Sequence, residues 1–154
     1  MNRPLLLTSI ISIFVIHLSI AQKKTPLEYI PNGYKLFEKY KGDLNNDNRE
    51  DIVLIIKDTK EENIIKNRFG DIVDRNRGGI IVILGKEDNY EKVVLNKDCF
   101  LSENEDGGVY MPPEPWINIE DEKLKIHYGH GRYGYWEYIF KYLESDFKLI
   151  GYKS

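Results

Sequence analysis

The sequence predicts a mainly β protein: an antiparallel sheet or sandwich of about seven to eight strands, with a C-terminal meander and at most one short helix. Three observations carry this. The runs IVLII (52–56) and GIIVILG (79–85) are β-branched, continuously apolar and bounded by polar residues, which suits strands buried on both faces. The last third alternates apolar and polar residues between short turn signals. No clean helical stripe appears along the chain.

The elements follow in order. Asn2-Arg3 gives a short basic start, Leu5 to Ile20 is predominantly apolar, and Ser19-Ile20-Ala21 places small residues where a signal peptidase cuts. Residues 1–21 therefore read as a signal peptide, and the expected location is secreted or periplasmic. The apolar run is broken by Thr8, Ser9, Ser12, His17 and Ser19 and is shorter than the about 20 residues of a spanning helix, so the mature chain is expected to hold no transmembrane segment. Residues 22–33 form a polar leader with two prolines, and residues 34–154 a single β-rich domain.

Within that domain YKLFEKYKG (34–42) alternates in part, through Tyr34, Leu36 and Glu38, and IVLII follows it. Residues 57–78 are irregular, with room for one short helix near Glu61 to Phe69. GIIVILG, the turn KEDN and YEKVVLN read as a hairpin. The stretch 98–115 is a long Gly- and Pro-containing loop. WINIE, KLKIHYG, YWEYIFKYL and FKLIGYK then form the meander. In it Leu124, Ile126 and Tyr128 share one face, opposite Lys123, Lys125 and His127. Trp136, Tyr138, Phe140 and Tyr142 also share a face, which reads as core rather than as a sugar platform, because such rings bury large apolar area.

Composition narrows the function classes. Removal of residues 1–21 leaves 133 of 154 residues and a net charge of −4, one unit below the −3 of the whole chain because Arg3 is lost. A mildly acidic chain of mixed charge offers no electrostatic footprint for nucleic acid. Cys99 is the only cysteine, so no intramolecular disulfide can form, and it reads as a small buried hydrophobe. His127 and His130 are the only histidines of the mature chain and lack the spacing of a zinc site. No nucleophile elbow, phosphate loop or metalloprotease helix is present, and no enzymatic activity is expected.

One segment carries metal-ligating character. DLNNDNRED (43–51) sets side-chain oxygens at alternate positions: Asp43, Asn45, Asp47 and finally Asp51. Calcium takes about six to eight oxygen ligands, and alternate side chains of a tightly wound loop converge on one centre. Arg49 would contribute its backbone carbonyl, and Asn48 occupies the position of the sharp turn. An EF-hand would place Glu where Leu54 stands, so Asp51 has to close the ligand set. This segment resembles the calcium loops of FG-GAP or VCBS repeats, in which a D-x-[DN]-x-D-x-x-x-D loop leads into an apolar strand. The resemblance spans about twenty residues, 40–56, and implies a calcium ion held by Asp43, Asn45, Asp47, Arg49 and Asp51. No second loop of that spacing exists, so a propeller does not follow. The chain is also similar to small exported bacterial proteins carrying one such loop.

The expected function is a calcium-stabilised binding module. Its partner is expected to be a protein, for instance a toxin or envelope enzyme that it inhibits, with Tyr110, Trp116, Arg132, Tyr133 and Tyr135 as the docking residues. The alternatives are a glycan-binding module and a small hydrolase with an acidic pair in loop 98–115.

Overall fold

The computed structural model describes residues 24–105 and 112–154, so the expected signal peptide, the start of the leader and Tyr110 lie outside the described residues. The chain folds mainly as β-structure in antiparallel sheets. The strands are β1 (Tyr34–Gly42), β2 (Asp51–Asp58), β3 (Ile64–Lys66), β4 (Ile72–Asp74) and β5 (Gly78–Gly85) in the first part. β6 (Tyr90–Phe100), β7 (Glu114–Glu120), β8 (Lys123–Gly129), β9 (Tyr135–Leu143) and β10 (Asp146–Lys153) complete them.

Two four-stranded sheets, ordered β1-β2-β5-β6 and β10-β9-β8-β7, face each other across a shared core. Ten strands exceed the expected number because β3 and β4 form a separate two-stranded ribbon in the connection between β2 and β5. That ribbon replaces the helix expected near Glu61 to Phe69, of which only a single 3-10 turn at Glu61–Asn63 exists. The Asn67 side chain is the reason: it accepts the N–H groups of Phe69 and Asp71 and closes a turn instead of a helix.

β2 and β5 are buried on both faces, as their unbroken apolar runs require. One face, with Val53, Ile55, Ile80, Val82 and Leu84, meets Ile117 and Leu124 of the second sheet. The other, with Ile52, Leu54, Ile56, Ile81 and Ile83, is covered by Tyr29, Ile30, Tyr34 and Tyr90. The leader is therefore packed against the fold in its final residues, and the Tyr29 hydroxyl donates to the Tyr90 carbonyl. Where the sheets cross, Gly42 of β1 lies against Ile119 of β7 so closely that a Cβ would stand 2.4 Å from the Ile119 side chain.

The aromatic face of β9 is divided. Phe140 and Tyr142 pack against the shared core. Trp136 and Tyr138 are half-buried, and both engage Tyr128, Trp136 by stacking at 5.1 Å and Tyr138 edge-on. Beside them the sheets part around an apolar cavity of about 320 Å³.

Candidate functional site

The acidic loop is the connection of the β1–β2 hairpin, which is paired up to Gly42 and Asp51. Its carboxylates organise its own backbone. Asp43 accepts N–H bonds from Asn45 and Asp47 at 3.3 Å and from Asn48 at 2.8 Å. Asn45 accepts the Asp47 N–H at 3.2 Å, and its amide donates to Asp47 at 3.1 Å. Asn46 and Asn48 adopt left-handed backbone with φ of 59° and 61°, a conformation asparagine tolerates better than other non-glycine residues.

Asp51 differs from the other loop carboxylates. It is 0% exposed and ties the loop to β5, accepting the Leu44 N–H at 2.7 Å and the Gly85 N–H at 2.8 Å. Gly85 is tightly placed: a Cβ there would meet the Glu50 carbonyl oxygen at 2.6 Å. Burial, reinforced by the negative charges of Asp47 and Asp43, pushes the Asp51 carboxyl above its ordinary range despite the two N–H bonds. For Asp47 burial also works against ionisation, but the Arg49 N–H, the Asn45 amide and the Arg49 guanidinium outweigh it and lower its pKa. Arg49 reaches Asp47 at 3.3 Å.

The five sequence-predicted ligand residues thus belong to one loop with hard oxygen donors. Among the described residues no three acidic, histidine or cysteine side chains stand together as a ready metal cluster. The loop's carboxylates are spent on backbone N–H groups, although an ionised carboxylate has about four lone-pair directions and keeps some free. The donor chemistry fits calcium, and Arg49 is the cation that now faces Asp47.

The described docking residues fall into two groups, Trp116 and Tyr135 on the second sheet and Arg132 and Tyr133 in the turn between β8 and β9. Trp116 on β7 stacks on His127 of β8 at 4.8 Å, and His127 on Tyr135 of β9 at 5.2 Å. His127 is therefore a half-buried member of a stack, rather than a free surface histidine. Two residues before Tyr135, the Tyr133 ring lies 5.0 Å from the Arg132 guanidinium and 5.3 Å from His130. Trp116 is 57% exposed, and Tyr133 and Tyr135 are exposed too.

Sequence reasoning missed a third feature. A cavity of about 300 Å³ gathers Glu38, Glu103 and Glu114 beside the buried Lys57. Glu103 and Glu114 are two of the carboxylates of the stretch 98–115, where the hydrolase alternative expects an acidic pair, and Glu103 is held by Lys57. Ser102, also at the cavity, donates its hydroxyl to the Asp74 carbonyl. Burial pushes the Cys99 thiol up to about 11, far from a reactive thiolate.

Comparison with protein families, with curated proteins and with solved structures finds no match to this chain.

Proposed function

We propose that this protein is an exported, calcium-binding β module that recognises a protein partner. The observation that supports the metal is Asp51: a fully buried carboxyl within electrostatic reach of two further aspartates is an arrangement that a bound divalent cation would relieve. Calcium would be held by Asp43, Asn45, Asp47, the Arg49 carbonyl and Asp51, and would join the loop to β5 through the bridge that Asp51 already makes to Gly85. Partner recognition is read from the exposed Trp116, Tyr133 and Tyr135 with Arg132, residue types that anchor protein interfaces. A hydrolytic reading rests on Glu103 and Glu114 sharing a cavity, but the engagement of Glu103 by Lys57 speaks for binding.

The test is thermal melting with excess calcium and with chelator. Calcium at a hundred times its dissociation constant adds about 2.7 kcal/mol to the native state, a rise of several degrees. Asp47→Ala is expected to abolish that rise. A melt indifferent to calcium in the unaltered protein would leave the loop as an asparagine- and aspartate-rich turn.

A further inference from the structure

The end of β2 away from the acidic loop holds a second arrangement of charge. Val53 and Ile55 face the shared core, and alternation puts Lys57 on the same side. Lys57 is 4% exposed. Its ammonium lies 3.4 Å from Asp74, contacts Glu103 and faces the Phe37 ring at 5.8 Å. The 300 Å³ cavity opens beside it, with Ile55, Phe100 and Ile117 among its apolar walls.

A β-bulge shapes this cavity. β1 slips by one residue between Leu36 and Glu38, so the consecutive residues Phe37 and Glu38 both line it, whereas a regular strand would point them to opposite faces. The bulge thereby adds a carboxylate and a ring to one rim.

The charge has a clear sign. Among the described lining residues Lys57 is the single cation against the carboxylates of Glu38, Glu103 and Glu114. Lys57 is already met by Glu103 and by Asp74. Glu38 accepts the Tyr40 hydroxyl, a neutral partner. Glu114 is exposed and makes no ion pair with the described residues.

We propose that this cavity binds a small organic cation, a protonated amine on an apolar stem, with the stem against Ile55, Phe100 and Ile117 and the ammonium between Glu38 and Glu114. Charge-assisted hydrogen bonds to the carboxylates would orient the head group. An anion would meet three carboxylates, and a neutral ligand would gain only the apolar walls. The site lies at the opposite end of the β1–β2 hairpin from the acidic loop and does not rest on the calcium reading.

Phenethylammonium, phenethyl alcohol and phenylacetate share one body and differ in charge. Each is titrated into the protein and followed by backbone amide NMR shifts. The cation is expected to perturb residues around Phe37, Lys57 and Ser102 and to bind about tenfold more tightly than the alcohol, with the anion weakest. Glu114→Gln, a change on an exposed side chain, is expected to remove most of the cation's advantage and leave alcohol binding unchanged. Glu38→Gln is the second variant and should act in the same direction. The proposal is overturned if the alcohol binds as tightly as the cation, if the shifts centre elsewhere, or if the cation does not bind at millimolar concentration.

Discussion

Asp51 and Lys57 stand at the two ends of one strand, on the same face, with Val53 and Ile55 between them. Six residues of strand separate them by about 20 Å. Both are charged residues buried by the same sheet, at 0% and 4% exposure, yet their charges are met in different ways. Asp51 is met by backbone: two N–H groups from fixed positions in the loop and in β5. Lys57 is met by side chains, Asp74 and Glu103, which are themselves 25% and 52% exposed. Backbone donors cannot move away without unfolding the hairpin, so the Asp51 end is a rigid joint. Flexible carboxylates can re-enter water or turn to another cation, so the Lys57 end is suited to exchange partners. One end of the strand is built to hold, the other to bind.

Removing each charge in turn tests that contrast. Asp51→Ala is expected to have the largest effect, a loss of about 3–5 kcal/mol in urea unfolding, because it strands two buried N–H groups that now bond a carboxylate. Lys57→Met keeps the buried stem and removes only the ammonium. Its partners can return to water, so the expected loss is about 1–2 kcal/mol. Equal losses at the two sites would break the comparison and show that Glu103 and Asp74 are held as firmly as the backbone.

Much of the Asp51 end was legible in the sequence because all of its side chains fall within nine consecutive positions. Spacing alone groups Asp43, Asn45, Asp47 and Asp51, and the apolar run behind them marks the strand. The bridge from Asp51 to Gly85 was not legible, since it depends on β5 pairing with β2 across 34 residues of chain. The Lys57 end was hidden for the same reason in stronger form. Glu38, Lys57, Glu103 and Glu114 come from separate parts of the chain, and a strand-terminal lysine gives no sign that it is buried. The bulge at Phe37 also breaks the alternation, which, counted from Tyr34 and Leu36, would have put Glu38 on the face away from the cavity. The β3–β4 ribbon escaped because IIK and IVD are too short to show a period, although Asn67 followed by Gly70 and Asp71 was a usable turn signal.

The smallest of the expected effects concerns pH, and it separates Asp51 from Asp74 by sign. Burial raises the Asp51 carboxyl above the about 3.9 of an unfolded aspartate, so the folded protein holds that proton more tightly than the unfolded chain does. Its contribution to stability therefore grows as pH falls through the raised value and levels off below the unfolded one. At the other end Asp74 behaves oppositely. Burial works against its ionisation, but the Asn76 N–H, the Asn76 side chain and Lys57 outweigh it and lower its pKa. Its contribution is present above the unfolded value and is lost as pH falls through the lowered one, and the lowered Asp47 of the loop adds to that loss. Urea midpoints measured with chelator should thus rise slightly on acidification from neutral pH and then fall below about pH 4. In Asp51→Asn the rise should disappear while the fall remains. With calcium present the rise should also disappear, because the metal takes the ionised carboxylate and is released as that group gains its proton. A rise that persists in Asp51→Asn would assign it to some other group and leave the buried joint without its charge strain.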